Sequence, residues 1–405
     1  MRPKIGVIGA GLMGTAHGKA IRYCLKNGLV DGELVAICES DPARRDGYAK
    51  ASGARIVTDD AGALIGSPEV NTVYICTPTY NHRELALQAL SAGKALFCEK
   101  PLAFTAEDAA VMRDAAKRAG VTHQVGLVMR FSAVMNVTRE LVREPAAGRA
   151  MAAVMVDDQF FPIQGHYNST WRGDVALVGA GTLLEHAIHD VDVLVWYFGR
   201  VQRVYGVIRN FFGKEGIEDV SSATLEFAGG PVVSHVSVWH NLLHRGSSRR
   251  MNILCEHGQF SWDDDDWSGA IRAETNAAGC RHELSRDDVA ARYAASGAVP
   301  GALRPLIVAG YSGQDYLQED YAFLKAVSED RPAYPDFDVA VYAHQVVDAI
   351  YASARSAQPV DLPPDARPSE PPPHRLPERS KIRRDEGPRG EVVSPSPLDG
   401  EGVRW

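Results

Sequence analysis

Residues 4–14 read KIGVIGAGLMG, a short apolar run followed by three glycines with the spacing G-x-G-x-x-G. The run predicts a buried strand, and the segment after it, to about Lys26, favours a helix. In this setting Gly9 permits a tight turn, Gly11 lets the backbone approach a pyrophosphate, and Gly14 lets strand and helix pack closely. The stretch therefore predicts a cradle for a dinucleotide at the start of the chain.

The residues around the cradle refine the prediction. The helix would begin near Leu12 and Met13, whose amides would face the phosphates. The run ELVAIC, residues 33–38, predicts the second strand, and Glu39 follows it, 25 positions after the last glycine. A carboxylate there can accept hydrogen bonds from both ribose hydroxyls of the adenosine half and repels an extra 2′-phosphate. This favours NAD over NADP.

NADP stays open as the alternative cofactor. Ser40, Arg44 and Arg45 follow the acidic residue closely. Arginine side chains at this place can hold a phosphate.

Length and composition limit the class of protein. A chain of 405 residues with 45% hydrophobic residues predicts two globular domains. The net charge of −8 argues against nucleic acid or an anionic membrane surface as a partner. The six cysteines show no C-x-x-C pairing, and no run of about 18 apolar residues is present to span a bilayer. These features predict a reduced, cytoplasmic setting.

Strands and helices alternate up to about residue 126. This pattern predicts a doubly wound parallel sheet, the Rossmann arrangement, in a first domain of residues 1–126, with its last strand in residues 122–131. Ligands of such sheets bind at the carboxyl ends of the strands. The cofactor contacts predicted at this edge are Thr77, Pro78, His82 and Glu99.

The second half has a different pattern. Five strand-like runs without helices between them predict an open, mostly antiparallel sheet in an α+β domain of residues 127–362. One helix is predicted over residues 181–197 and a final helix over residues 339–356. Residues 268–310 receive no assignment.

Two segments of biased composition lie outside these patterns. WDDDDW, residues 262–267, is interpreted as a solvated turn rather than a calcium loop, because no second ligand cluster accompanies it. Residues 363–405 hold ten of the 23 prolines. This composition predicts a disordered tail.

Two groups of residues carry candidate chemistry. Lys100 follows the predicted fifth strand, where an ammonium can bond a substrate hydroxyl and stabilise a developing alkoxide. On the helix after residue 180, Glu185 lies one turn before His189, and a carboxylate there can orient the imidazole and raise its basicity. His186 and Asp190 form a second acid-and-histidine pair on the same helix. No cluster elsewhere completes a metal site, so no metal is predicted.

Four motifs together resemble the Gfo/Idh/MocA oxidoreductases, the relatives of glucose–fructose oxidoreductase and inositol dehydrogenase. They are GAGLMG, CTPTYNH (76–82), CEKPLA (98–103) and GAGTLLEHAIHDVDVLVW (179–196), and the resemblance covers residues 1–362. It implies that Lys100 is the catalytic or substrate-orienting lysine and His189 the acid/base of a D-x-x-x-H pattern. Glu185 stands where the aspartate is usual. It also implies a homodimer or homotetramer formed through the C-terminal sheet.

The resulting hypothesis is an NAD(P)-dependent dehydrogenase of a sugar, polyol or related cyclic alcohol. Lys100, His189 and Glu185 are its catalytic candidates. Two alternatives remain: an enzyme that cleaves or transfers a glycoside through transient oxidation by NAD, and a non-catalytic NAD(P)-binding sensor. The predicted substrate contacts are Arg130, Trp171, Arg172 and His186, with Asn168, His240 and Arg245 as further candidates.

Overall fold

The computed structural model describes residues 1–366 apart from 166, 245–246, 264–268, 277–279 and 311–312. The elements form one parallel sheet and one mostly antiparallel sheet. Most of the predicted tail and of WDDDDW lies outside the described residues, as does Arg245.

The first sheet is parallel throughout and confirms the predicted Rossmann arrangement. Its strands are β1 (Lys4–Ile8), β2 (Glu33–Cys38), β3 (Ile56–Thr58), β4 (Thr72–Ile75), β5 (Ala95–Glu99) and β6 (His123–Gly126). Their order is β3-β2-β1-β4-β5-β6, so the chain reverses direction across the sheet between β1 and β4. The crevice at this reversal, beyond the carboxyl ends of the strands, is where such sheets bind ligands.

Helices cover both faces of this sheet, and local signals set their ends. They are α1 (Leu12–Lys26), α2 (Pro42–Ser52), α3 (Ala61–Gly66), α4 (His82–Ser91) and α5 (Ala106–Ala119). In α5 the Thr105 side chain accepts the N–H of Asp108, and Gly120 ends the helix with a φ of +64°.

The second sheet has nine strands. They are β7 (Ala150–Phe160), β8 (Val201–Arg209), β9 (Val220–Phe227), β10 (Val232–His240), β11 (Ser248–Cys255), β12 (Gly258–Asp263), β13 (Ile271–Thr275), β14 (Cys280–Leu284) and β15 (Val360–Asp361). Their order is β14-β13-β12-β11-β7-β10-β9-β8-β15. Strands β7 and β10 pair in parallel, and the other pairs are antiparallel.

Eight helices accompany the second sheet in the described part of the chain. They are α6 (Ala133–Arg143), α7 (Val175–Val178), α8 (Thr182–Glu185), α9 (Ile188–Phe198), α10 (Arg286–Ala295), α11 (Arg304–Val308), α12 (Gln314–Glu329) and α13 (Phe337–Ser356). Helices α9 and α13 pack on one face of the sheet, and α12 packs on α1 beside the first sheet. None of the described helices has the length and apolar character needed to cross a bilayer.

Two expectations differ from the structure, and one helix was not predicted. The strand predicted over residues 122–131 ends at Gly126, because Leu127 leaves the extended conformation and Val128–Phe131 form a 3-10 turn. The helix predicted over residues 181–197 is broken between α8 and α9. The sequence analysis assigned no helix over residues 314–329, where α12 lies.

The described cysteines are compatible with a reduced protein. They are free and buried, and they are Cys24, Cys38, Cys76, Cys98 and Cys255. Each behaves as a small apolar side chain in the interior.

Candidate active site

Close backbone contacts shape the glycine loop between β1 and α1. Gly9 has a φ of +94°, and a Cβ on it would lie 2.6 Å from the carbonyl oxygen of Cys76. A Cβ on Gly14 would lie 1.9 Å from the carbonyl oxygen of Gly9, so α1 meets the loop closely only because this residue is glycine. At Gly11 no atom of the described residues lies within 4 Å of the Cβ position. Of the three glycines, Gly11 leaves room for a bound group.

The start of α1 offers donors to that group. Gly11 is the N-cap, so the amides of Leu12, Met13 and Gly14 open the helix and have no acceptor within it. Such amides, together with the helix dipole, stabilise a phosphate. The residues present therefore fit the pyrophosphate of a dinucleotide.

Glu39 lies buried at the end of β2 and closes the other side of the loop. Its Oε2 accepts the N–H of Ala10 at 2.8 Å, and its Oε1 accepts the N–H of Asp41 at 2.9 Å and an Nη of Arg44 at 3.1 Å. Burial alone would raise the pKa of Glu39, but these donors lower it. Arg45 donates to the main-chain oxygen of Glu39 at 2.9 Å. The result is a fixed anion where the adenosine ribose would lie.

Two of the predicted cofactor contacts are occupied by the protein itself. The ring nitrogens of His82 lie 2.8 Å from the oxygen of Pro101 and 2.9 Å from that of Thr77. Burial lowers the pKa of His82, and a neutral ring donates to one of these carbonyls. Glu99 is turned into the interior, where it accepts a hydrogen bond from His17 at 2.8 Å. Both side chains support the edge of the sheet and leave Thr77 and Pro78, after β4, as its open positions.

Lys100 directly follows β5, and its peptide bond to Pro101 is cis. The Nζ of Lys100 donates to the main-chain oxygen of Glu185 at 2.7 Å. In a continuous helix that oxygen would accept the N–H of His189. Instead α8 ends at Glu185, and the N–H of His189 donates to the oxygen of His186 at 3.3 Å. The helix break therefore frees a carbonyl for the ammonium.

Contacts with Glu218, which precedes β9, explain why α8 is a separate helix from α9. Its carboxylate accepts the N–H of Gly181 at 2.8 Å and that of Leu183 at 2.9 Å. The N–H of Thr182 donates to the main-chain oxygen of Glu218 at 2.9 Å. A Cβ on Gly181 would lie 1.8 Å from that oxygen, so only glycine fits here. Tertiary contacts therefore fix α8, and the expectation of one continuous helix is wrong.

The carboxylate of Glu185 bonds to residues other than His189. It accepts Thr79 Oγ1 at 2.7 Å and Arg172 Nε at 3.0 Å. The guanidinium of Arg172 lies 4.2 Å from the ring centre of Trp171, close enough for a cation–π contact. Contrary to the sequence analysis, Glu185 does not orient the imidazole of His189. Arg172 thus bonds Glu185, and Trp171 packs on Arg172; the contacts of both residues with a substrate stay predictions.

His189 is buried, with 7% of its surface exposed. Its Nδ1 has no hydrogen-bond partner among the described residues. Burial, and then the nearby charges of Lys100 and Arg249, lower its pKa well below the ordinary value. The imidazole is therefore neutral at pH 7 and able to accept a proton.

A buried ionic network lies behind His189. Arg249 Nε donates to Asp190 at 2.9 Å, and His235 lies 3.1 Å from the same carboxylate. His186, a predicted substrate contact, pairs with Asp157 on β7 at 3.2 Å rather than with Asp190. Arg249 was not among the predicted site residues. Its signal was the alternation in β11, where Arg249 shares a face with three buried apolar residues.

Arg130 is buried and bonded within the protein. Its guanidinium forms a two-pronged ion pair with Asp192, at 2.7 and 2.8 Å, and also donates to the hydroxyl of Tyr334. The ring of Trp196 covers it at 5.4 Å. These partners occupy the buried guanidinium, and the predicted contact of Arg130 with a substrate stays a prediction.

The contacts of Asn168 and His240 with a substrate stay predictions. Asn168 is exposed with a φ of +42°. His240 lies 3.3 Å from Asp158. Within the described ranges, no histidine, cysteine and carboxylate side chains are grouped so that they could hold a metal ion.

Comparisons with known proteins agree with this architecture. Residues 3–127 match the oxidoreductase family with an NAD-binding Rossmann fold, and residues 135–261 match the GFO/IDH/MocA C-terminal domain. Inositol 2-dehydrogenase of Paracoccus denitrificans is 33% identical over 270 residues, which are 64% of this chain and 73% of the relative. Levoglucosan dehydrogenase of Pseudarthrobacter phenanthrenivorans is 26% identical over 389 residues, 89% of this chain and 98% of the relative.

A solved structure of levoglucosan dehydrogenase in complex with NADH and levoglucosan shares the fold, with a TM-score of 0.78 and 24% identity. The match covers 90% of this chain and all of the other chain (100%). The glycine loop, the two sheets and the matches over both halves give one conclusion: this chain belongs to the Gfo/Idh/MocA family of NAD-binding oxidoreductases.

Proposed function

We propose that this protein is an NAD-dependent dehydrogenase that oxidises a secondary hydroxyl of a sugar, polyol or related cyclic alcohol. The observation that carries the proposal is the meeting of Lys100, Glu185 and a neutral His189 beside the carboxyl edge of the parallel sheet. The names of the two relatives, levoglucosan dehydrogenase and inositol 2-dehydrogenase, point to the same class of substrate.

His189 is the proposed acid/base. In the oxidative direction it takes the hydroxyl proton, for which its lowered pKa keeps it in the receptive, neutral form at pH 7. The same low pKa makes the protonated ring a strong acid, so it releases the proton readily or returns it in the reductive direction. When bound, NAD⁺ supplies the hydride acceptor.

Lys100 is proposed to hold the reacting oxygen. Burial lowers the pKa of its ammonium, and the nearby charge of Glu185 opposes that effect. A cation at this position stabilises negative charge that develops on the oxygen as its proton leaves. The carboxylate of Glu185, steadied by Thr79 and Arg172, is proposed to accept a hydrogen bond from a neighbouring substrate hydroxyl.

NAD is the proposed cofactor in preference to NADP. The support is the buried, ionised Glu39, which suits two ribose hydroxyls and repels a 2′-phosphate. Arg44 and Arg45 both have interactions with Glu39 already, so neither is held ready for a phosphate.

The proposed assembly is a homodimer or homotetramer through the outer face of the second sheet. That face carries four apolar side chains that are each more than 40% exposed, those of Val154, Val232, Leu254 and Tyr205, and both Val232 and Leu254 pair with Ala152. A patch of this kind on a sheet is typical of a contact between protein subunits. Light scattering would test it: Val154→Lys with Val232→Glu should yield monomers, whereas a wild-type protein that is already monomeric would contradict the assembly.

The activity test is a panel of sugars and polyols scanned for NADH formation by wild type, Lys100→Met and His189→Asn. We expect each variant to lose about 10²- to 10⁴-fold in kcat while NADH binding persists. Lys94→Met is the matched control, because Lys94 also donates to a main-chain oxygen, that of Ser67 at 2.9 Å, at the other end of β5. It should keep the wild-type rate.

The outcomes separate the alternatives. NADH formed in proportion to the oxidised alcohol supports the dehydrogenase. Product without net NADH would favour glycoside cleavage through transient oxidation. Full activity in Lys100→Met or His189→Asn would contradict the mechanism, and NADH binding without turnover of any alcohol would favour a sensor.

A further inference from the structure

A second buried ionic cluster lies at the end of β5, the strand that Lys100 follows. His17, on α1, places Nε2 2.8 Å from Oε1 of Glu99 and Nδ1 2.9 Å from Oδ1 of Asp320 on α12. His17 and Asp320 are fully buried, and Glu99 is 4% exposed. The cluster therefore joins the cofactor helix, the end of β5 and a helix from the second half of the chain.

The charges in this cluster favour a protonated His17. Burial opposes its charge, but Asp320 and Glu99 outweigh burial and raise its pKa well above the ordinary value. Glu319 adds another buried carboxyl group on α12, and burial raises its pKa well above the ordinary value. The pKa of Glu99 is lowered despite burial, chiefly by its hydrogen bond with His17. The central contact is thus a hydrogen-bonded ion pair, the stronger kind of hydrogen bond.

Glu99 connects the ion pair with His17 to the backbone of Lys100. While Oε1 of Glu99 accepts His17, Oε2 accepts the main-chain N–H of Lys100 at 2.9 Å. Gly126 on β6 makes the position possible, since a Cβ there would lie 2.9 Å from Oε1. The backbone of Lys100 is therefore held at the point from which its side chain reaches the oxygen of Glu185.

We propose that His17 is a positioning residue for Lys100, acting through the orientation of Glu99. It does not touch the substrate. Because His17 lies three positions after Gly14 on the helix whose start forms the cofactor cradle, the same contact fixes the lysine relative to that cradle. The effect on turnover rests on the proposed function, but the effect on Lys100 geometry does not.

Two substitutions of His17 separate its two contacts. The amide nitrogen of glutamine can take the place of Nε2 and still donate to Glu99, whereas that of asparagine takes the place of Nδ1 and reaches only Asp320. We expect H17N to lower kcat by about 10- to 100-fold with little change in the NADH dissociation constant, since small misplacements of a reacting group cost this much. H17Q should keep most of the rate.

Thermal unfolding of both variants, and of His123→Asn, shows whether stability explains the rates. His123 is a partly buried histidine on the neighbouring strand β6, and its Nδ1 contacts only the oxygen of Val121 among the described residues. Equal kcat values for H17N and H17Q, or a wild-type kcat for H17N, would overturn the proposal. Should H17N not fold, Gly126→Ala displaces the Glu99 carboxylate directly, and an unchanged kcat there would equally overturn it.

A crystal structure of H17N makes the test independent of the substrate. If wild type turns over no alcohol, the proposed function fails, yet the geometry still decides this proposal. Loss of the 2.7 Å contact between Lys100 Nζ and the oxygen of Glu185 supports it. Retention of that contact overturns it.

Discussion

At the cofactor end of the site, one short stretch of chain provides most of the structure. Gly9, Gly11 and Gly14 shape the loop through backbone contacts, and Glu39 completes it from the next strand. At the substrate end, Thr79, Lys100, Arg172 and Glu185 come from separate segments and hold one another by side-chain contacts. The first end therefore depends on space around the backbone and the second on a network of side chains, so equivalent substitutions should have different effects.

The largest expected effect comes from two alanines in the glycine loop. Gly14→Ala should destabilise the fold by about 3 kcal/mol, because its Cβ would meet the oxygen of Gly9 at 1.9 Å. Gly11→Ala should fold normally, since its Cβ position is open, and should weaken NADH binding. Urea unfolding and NADH fluorescence would measure the two effects. A Gly14→Ala variant as stable as wild type would show that backbone space is not what governs this end.

A matched pair of arginine substitutions tests the two ends against each other. Arg172→Met removes a guanidinium from Glu185, whose side chain is 1% exposed, and leaves a buried carboxylate short of a partner. We expect about a tenfold loss in kcat/KM for the alcohol, near 1.4 kcal/mol. Arg44→Met removes the equivalent partner of Glu39, but Arg44 is 57% exposed and two backbone amides remain. Its KM for NAD should hardly change, and comparable losses in the two variants would refute the contrast.

The smallest expected effect is in the pH dependence. The pKa of His189 lies well below its ordinary value of 6.5, through burial and nearby cations, so the ring stays neutral as the pH falls from 8 to 6.5. Alcohol oxidation should therefore keep its kcat/KM over this range and decline only at lower pH. NADH affinity should stay constant over the same range, because the pKa of Glu39 is lowered as well. An acidic limb centred at or above pH 6.5 would contradict the role of His189.

The fold was largely predictable from local signals. The spacing of the glycines, the apolar runs of the parallel strands and the ends of α5 at Thr105 and Gly120 each depend on neighbouring residues. The alternating runs likewise indicated β7 to β11 correctly. No helix was predicted where α12 lies, and the contact between Asp320 and His17 was therefore not expected.

The candidate site was predictable in its residues but not in its contacts. The i, i+4 spacing of Glu185 and His189 predicts a direct pair only if one helix carries both. Instead, Glu218, more than 30 positions after Glu185, accepts hydrogen bonds from the start of α8. Lys100 donates to the carbonyl oxygen of Glu185. Neither contact leaves a periodic signal in the sequence. The ion pair of Arg130 was not foreseen for a similar reason, because its partner Asp192 lies 62 positions away.

The break between α8 and α9 determines which hydrogen bond Lys100 makes before a substrate binds. The ammonium rests on an uncharged carbonyl oxygen, while the Glu185 carboxylate is occupied by Thr79 and Arg172. Breaking the hydrogen bond between the ammonium and a neutral carbonyl costs less free energy than breaking one to a carboxylate, because ion-paired hydrogen bonds are the stronger ones. If Lys100 binds the substrate as proposed, a substrate hydroxyl would replace the carbonyl by an exchange of similar hydrogen bonds. The helix break thus gives the Lys100 ammonium a neutral hydrogen-bond acceptor that it can give up at low cost.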